Sequence, residues 1–289
     1  MSPSRAITVA LTAVLASSVA GCGKTVTPPP PEQSSAYVAL GDSFTAVAGT
    51  GPFSDRACER GRDDYPSLVA RAMNLTFTDA SCGGAQTDAL VHAQKLPSGG
   101  IVQPQFGALD PDTQVVTLGI GLNDNKLAAY LTDVCLPKTR DDSDCQSYLA
   151  LPDSSEAIDL MAKNVSTALA RIAERAPKAR VILVGYPRLL PATGDCPKLV
   201  PLPPVALRRA RTGLALADVA LKAVAKNRHV EYVDMYTASV GHDVCSAAPW
   251  VAGYKDVPGK ARAFHPYKSY HEAVAAKVEA LLRTKKPQA

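Results

Sequence analysis

The feature that most constrains the fold is a regular alternation of short apolar runs with longer amphipathic segments. Five runs have the length and composition of buried strands, at residues 37–40, 75–79, 115–119, 179–185 and 230–236. Strands that alternate with helices form βαβ units. The pattern therefore predicts an α/β domain with a parallel sheet between two layers of helices.

The segments between these runs have the spacing of amphipathic helices. In residues 155–175, Ile158, Met161, Val165, Leu169 and Ile172 recur at intervals of three and four residues, which places them on one helix face. Further helices are predicted at residues 63–74, 88–94, 204–226 and 268–283. In a sheet of this kind, ligands bind beyond the carboxyl ends of the strands.

The N-terminal residues have the composition of an export signal. Arg5 precedes an apolar run over residues 6–20, and the run ends in Val-Ala-Gly-Cys at Cys22. This ending resembles a bacterial lipobox, although an ordinary signal peptide with a chance cysteine would look similar. We therefore expect a lipoprotein signal peptide at 1–21, a lipidated Cys22 with a proline-rich linker over 22–35, and one folded domain over 36–289.

The chain has seven cysteines, and six remain when Cys22 is set aside. Disulfides persist in the oxidising space outside the cytoplasm, so the six predict three bridges. The sequence alone allows many pairings. No Cys-x-x-Cys spacing indicates a zinc site, and we expect neither a metal nor a cofactor.

A serine follows the first predicted strand, in Gly41-Asp42-Ser43. Ser43 lies where a helix would begin, and the free N–H groups there suit a developing oxyanion. A hydroxyl becomes a good nucleophile only when a base removes its proton. Ser43 is therefore a candidate nucleophile, although serine at this position also commonly caps a helix.

Two further polar motifs follow the second and third strands. Gly84 lies in a Gly-Gly pair whose backbone can approach a substrate closely, and Asn123 can donate its side-chain amide. A plain turn and a helix cap are the respective alternatives. Because parallel strands end at the same edge of a sheet, Ser43, Gly84 and Asn123 are expected to share one site.

Five histidines are available as a base. His265 precedes Pro266 on a predicted loop, whereas His271 lies on the last helix, and a loop side chain can more easily face a cleft. His92 and His229 are expected at the surface and His242 near a cleft rim. We therefore predict His265 as the general base.

Together these motifs resemble the SGNH (GDSL-type) hydrolase family over nearly the whole folded part. The matching blocks occur in the family's order and contain Ser43, Gly84, Asn123 and His265. The resemblance implies a three-layer α/β/α domain with a five-stranded, mainly parallel, flavodoxin-like sheet. It also implies ester hydrolysis without a metal, in which Ser43 attacks, His265 moves the proton, and Ser43 N–H, Gly84 N–H and the Asn123 amide hold the oxyanion.

One position departs from the family pattern. Most members have an aspartate three residues before the histidine, where this chain has Arg262. Some secreted members use a backbone carbonyl there, so we expect the carbonyl of Arg262 to orient His265, with distant Asp243 as the alternative. The chain further resembles secreted actinobacterial esterases and lipases, whose nearest-neighbour disulfide order implies Cys58–Cys82, Cys135–Cys145 and Cys196–Cys245.

The composition excludes some partners and leaves others open. The net charge of +4 is mild and forms no basic stripe with aromatics, so nucleic-acid binding is not expected. We expect a monomeric ester hydrolase, lipid-anchored at the outer face of the cell membrane or secreted. The competing hypotheses are an acyl or acetyl transferase that acts on envelope glycans and a non-catalytic lipoprotein that binds a lipid or glycan.

Overall fold

The computed structural model describes residues 36–47, 51–132, 134–136, 142–150 and 154–284. The predicted signal peptide, Cys22 and the proline-rich linker lie outside the described residues. Within the ranges given, no helix combines the length and apolarity needed to cross a membrane.

Five parallel strands form the central sheet, as predicted. They are β1 (Tyr37–Gly41), β2 (Phe77–Asp79), β3 (Val115–Gly119), β4 (Arg180–Val184) and β5 (Glu231–Val233). Their spatial order is β2-β1-β3-β4-β5, and each neighbouring pair is parallel. This is the flavodoxin-like order, in which the chain path reverses between β1 and β3 and leaves a crevice at their carboxyl ends.

Helices cover both faces of the sheet. They are α1 (Ser43–Ala46), α2 (Tyr65–Met73), α3 (Leu127–Thr132), α4 (Asp142–Ala150), α5 (Ser155–Arg175), α6 (Pro204–Asn227), α7 (Met235–Ala238) and α8 (Lys268–Arg283). Successive strand residues point to opposite faces. Val38 and Leu40 accordingly belong to the core that α5 and α6 cover, and Tyr37 and Ala39 to the core that α2 and α8 cover.

Some short elements differ from the sequence-based expectations. The helix expected at 88–94 is only a 3₁₀ turn at Thr87–Leu90. Two small hairpins, which pair Phe53–Asp55 with Arg60–Gly61 and Gln94–Lys95 with Ile101–Val102, were not predicted. Helices α3 and α4 were not predicted either. All of these elements lie in the connections between the strands, where the hydrophobic pattern is weak.

Three disulfides join Cys58 to Cys82, Cys135 to Cys145 and Cys196 to Cys245. These are the pairs that the family resemblance implies. None of the six cysteines lies in the central sheet. The bridges therefore join segments outside the strands, and Cys135–Cys145 closes a loop within the single connection from β3 to β4.

Candidate active site

Ser43 lies at the first position of α1, directly beyond the end of β1. Asp42 caps this short helix, and its Oδ1 accepts a hydrogen bond of 2.8 Å from the backbone N–H of Phe44. A Cβ atom on Gly41 would lie 2.6 Å from the carbonyl oxygen of Gly119, so only glycine fits at this close approach of β1 and β3. The serine is thus presented by a tight turn at the carboxyl edge of the sheet.

The buried side chain of Gln105 holds the end of β1 in place. Its Oε1 accepts from the Gly41 N–H at 2.8 Å, and its Nε2 donates to the Gly41 carbonyl at 2.9 Å. Gln105 therefore satisfies both backbone groups of the residue that precedes the Asp42-Ser43 turn. No sequence pattern marks this residue, because it lies in a short 3₁₀ helix, Gln105–Ala108, far along the chain from the serine.

A buried carboxyl group links the turn of Ser43 to the turn of Asn123. Asp42 accepts a hydrogen bond from the hydroxyl of Tyr186, which itself accepts from the Leu122 N–H at 3.3 Å. Burial, as the main cause, raises the pKa of Asp42 to about 7. The Tyr186 hydroxyl donates to this carboxyl group and opposes part of that rise.

Gly84 and Asn123 lie in adjacent turns beyond β2 and β3. Gly84 has a φ of 71°, a conformation that favours glycine. Asn123 does not cap the following 3₁₀ turn through its side chain; its Nδ2 donates to the Ala85 carbonyl at 3.1 Å. No described residue accepts from the backbone N–H groups of Ser43 or Gly84. Both groups are therefore available to an oxyanion.

Asp124 holds these two turns against each other. Its carboxylate accepts from the backbone N–H of Thr87 at 2.8 Å and from the Thr87 hydroxyl at 2.6 Å. It also accepts from the side-chain amide of Asn164 on α5 at 2.9 Å. The relative position of Gly84 and Asn123 is thus fixed by a buried carboxylate next to Asn123.

His265 lies beside the serine turn. Its ring stacks on that of Phe44, the residue after Ser43, with 5.9 Å between the ring centroids. Its Nδ1 lies 2.7 Å from the carbonyl oxygen of Ala263. A carbonyl can only accept, so Nδ1 carries a proton, and in the neutral ring the lone pair that a general base needs is then on Nε2.

The carbonyl that lies against Nδ1 of His265 is therefore that of Ala263. The sequence-based prediction named the carbonyl of Arg262, one residue earlier, and is wrong on this point. The carbonyl of Arg262 instead accepts the backbone N–H of His265 at 3.1 Å and closes a tight turn. Phe264, inside this turn, has a φ of 55°. The alternative residue, Asp243, accepts the backbone N–H of Cys245 at 2.9 Å.

The competing base, His271, is fully buried beneath α2. Its Nδ1 accepts from the Tyr65 N–H at 3.1 Å, and its Nε2 donates to the Val47 carbonyl at 2.6 Å. Burial lowers its pKa to about 4, so the ring is neutral. Since both ring nitrogens have backbone partners, His271 joins elements of the fold.

Two cavities meet at the candidate site, with volumes of about 450 and 540 Å³. Ser43, Asn123, Arg262 and His265 line both of them, and Gly84 lines the larger. The nucleophile, base and N–H donors named from the sequence are thus gathered at one place. In the described part of the chain, no cluster of three or more His, Cys, Asp or Glu residues could hold a metal ion.

Comparisons with known proteins show the family of the chain. The model of the GDSL-like Lipase/Acylhydrolase family matches residues 39–273. Lipase 2 of Streptomyces coelicolor is 34% identical over 238 residues, which cover 77% of this chain and 79% of the relative. Lipase 1 of the same organism is 30% identical over 224 residues, covering 76% of this chain and 77% of the relative.

Solved structures are similar in fold. Phospholipase A1 from Streptomyces albidoflavus superimposes with a TM-score of 0.68 at 24% identity, covering 88% of this chain and all of that one (100%). The extracellular lipase of Streptomyces rimosus gives a TM-score of 0.67, also at 24% identity, covering 86% of this chain and 97% of that one.

Proposed function

Because the chain belongs to the GDSL-like lipase/acylhydrolase family and is therefore a carboxylic ester hydrolase, we propose that Ser43 and His265 carry out its hydrolysis as a dyad. The single observation that carries this proposal is the convergence of both side chains on two shared cavities. The stack of His265 on Phe44 supports it, since it places the imidazole beside the serine turn.

In the proposed mechanism, Nε2 of His265 removes the proton of the Ser43 hydroxyl as Oγ attacks the ester carbonyl. The imidazolium then gives this proton to the alcohol oxygen. The alcohol departs, and Ser43 is left acylated. Water, activated by the same imidazole, attacks the acyl-enzyme and releases the carboxylic acid.

The developing oxyanion is held by hydrogen-bond donors fixed before substrate binds. These are the N–H groups of Ser43 and Gly84 and the side-chain amide of Asn123. Each such donor contributes roughly 3 kcal/mol to the stability of a transition state. The bonds from Asp124 to Thr87 and Asn164 support this role, because they hold the two donor turns together.

A backbone carbonyl takes the place of the usual aspartate. The Ala263 carbonyl fixes the proton on Nδ1 and the direction of the ring, as a carboxylate would. It carries no full negative charge, so it stabilises the imidazolium less than a carboxylate does. The fixed donors at the oxyanion therefore supply a larger share of the catalysis.

The dyad is tested by hydrolysis of p-nitrophenyl butanoate. We expect Ser43→Ala and His265→Ala each to lower kcat by at least about 10³-fold, because nucleophile and base act as a unit. His92→Ala is the matched control, since His92 lies at the surface next to Asp88. Wild-type rates in Ser43→Ala, or loss of activity in a folded His271→Ala beside an active His265→Ala, would refute the assignment.

We also propose that residues 1–21 direct export, that lipid on Cys22 anchors the protein and that residues 36–289 form the hydrolase domain. The three disulfides suit an exported protein. In a bacterium that processes lipoproteins, the wild type should enter the detergent phase on phase separation, and Cys22→Ser should stay in the aqueous phase. An aqueous wild type would contradict the anchor.

A further inference from the structure

The two cavities beside Ser43 differ in charge, and this difference assigns the two halves of the substrate. The smaller cavity contains Asp42, Asp256 and Arg262, and it also has bulky apolar side chains, those of Phe44, Leu122, Leu189, Leu214 and Phe264. A hydrocarbon chain is stabilised on such a surface by the hydrophobic effect. The acyl half of the ester therefore fits this cavity.

The larger cavity has a mixed lining, in which Ala57, Leu96 and Pro97 lie beside several charged and polar groups. Three cations, Arg56, Lys95 and Arg262, face one acidic side chain, Glu59. Gly83, Gln94 and Ser98 add polar atoms to the same wall. Its lining therefore carries a net charge of +2, three cations less one anion.

The single anion of this cavity is already paired. Glu59 forms an ion pair with Arg262, which joins the hairpin after β1 to the loop that carries His265. In the described residues, neither Arg56 nor Lys95 has an acidic partner. Arg56 lies over the ring of Phe53, with 5.6 Å between its guanidinium carbon and the ring centroid. Two cations thus remain to meet a ligand.

We propose that the cavity of Arg56 and Lys95 binds the alcohol half of the ester and selects alcohols that carry a negative charge, such as a phosphate group. This inference rests on the proposed Ser43–His265 hydrolysis. A concave site of one sign concentrates ligands of the opposite sign and raises their rate of association. The same positive field stabilises a leaving alcohol that carries a phosphate group. His265 protonates the hydroxyl oxygen of this alcohol as it departs.

The test compares two soluble esters that differ only in a terminal phosphate group, 1-butanoylglycerol and 1-butanoylglycerol 3-phosphate. At low salt we expect the wild type to give a kcat/KM about tenfold higher for the phosphate ester. The double variant Arg56→Gln/Lys95→Gln should bring this ratio close to one, because it should lower kcat/KM for the phosphate ester far more than for the neutral ester. Added NaCl should lower the wild-type ratio, because salt screens exposed charges.

A matched variant, Lys226→Gln/Lys277→Gln, removes two exposed positive charges that line neither cavity. It should keep the wild-type ratio. A ratio that is equal in the wild type and Arg56→Gln/Lys95→Gln, or a wild type that prefers the neutral ester, would overturn the inference. If neither ester is hydrolysed, the proposed dyad fails as well, whereas neutral-ester hydrolysis without a preference refutes this inference alone.

Hydrolysis of dispersed lipids tests whether the anionic alcohol is a lipid headgroup or a small soluble molecule. Faster hydrolysis of phosphatidylglycerol than of phosphatidylcholine with the same acyl chains, lost in Arg56→Gln/Lys95→Gln, would support the inference and assign a lipid headgroup. A preference restricted to the soluble phosphate ester would support it and assign a small anionic alcohol.

Discussion

The carboxyl groups of Asp64 and Asp79 are buried beside each other. Asp64 caps α2 by accepting from the Ser67 N–H at 2.9 Å, and Asp79, at the end of β2, accepts from the Ser81 hydroxyl at 2.6 Å. The second oxygen of each carboxyl group is buried without a hydrogen-bond partner. Burial raises the pKa of both groups, and the charge of Asp79 raises that of Asp64 further.

Because of this pair, we expect the free energy of unfolding to fall as the pH rises. In the unfolded chain both carboxyl groups release their protons near pH 4, whereas in the folded protein they hold them to higher pH. The folded state therefore binds more protons in this range, and each such proton lowers the free energy of unfolding by about 1.4 kcal/mol per pH unit. The stabilisation is complete below about pH 4 and is lost as the pH passes the raised values.

Asp64→Asn should reduce this loss, because asparagine can still cap α2 but does not ionise. Melting temperature is measured from about pH 7.5 to about pH 9, a range in which buried His271 is largely neutral in both states. The wild-type temperature should fall more steeply than that of the variant. Asp159→Asn, at an exposed site on α5, should follow the wild type. Parallel curves for wild type and Asp64→Asn would contradict the prediction.

At single residues, candidate catalytic side chains could be proposed from the sequence more readily than the atoms that position them. Ser43 could be proposed because Gly41 and its place after a strand indicate a turn, and His265 because Pro266 indicates a loop before the last helix. The choice between the carbonyls of Arg262 and Ala263 depends on the positive φ of Phe264. A bulky residue in that conformation has no sequence signature, since the surrounding contacts impose it.

At the scale of elements, the junction of β1 with α1 depends on glycine at position 41, because there is no room there for a side chain. Gly41→Ala would place a methyl group against the Gly119 carbonyl and the Thr45 hydroxyl. Such overpacking costs about 1–3 kcal/mol. We expect the variant to unfold at lower denaturant concentration and, because Ser43 follows the displaced turn, to lose kcat as well.

Gly107→Ala is the control for this prediction. A Cβ atom at Gly107 would meet no other atom within 4 Å, so its effect should stay within about 0.5 kcal/mol. Chemical denaturation of the two variants and the wild type compares the two sites directly. Equal stabilities for Gly41→Ala and Gly107→Ala would show that the turn can relax around a methyl group.

The long helices could be located from the sequence, but the short connections could not. Helices α5 and α8 have the bounds that their apolar spacing predicts. The hairpin at Phe53–Asp55 and Arg60–Gly61 has few apolar residues and is joined to the turn beyond β2 by Cys58–Cys82. Its position is fixed by that covalent bond and by tertiary contacts, which no local pattern encodes.

For the whole molecule, the sequence predicted the class and the edge of the sheet where the site lies. Five apolar runs in βαβ alternation were enough, since parallel strands place all their carboxyl ends together. The shapes and charges of the two cavities could not be predicted. They depend on how the connections after β1, β2 and β3 and before α8 meet, for example in the ion pair of Glu59 with Arg262.

The main-chain oxygen that orients His265 has a genetic consequence. Every amino acid supplies a carbonyl at position 263, so no single codon change can delete this partner of the imidazole. Mutations can impair it only by altering the path of the loop. A lineage that keeps that path can therefore vary the side chain at position 263, and the lack of an aspartate three residues before the histidine is by itself no sign of an inactive enzyme.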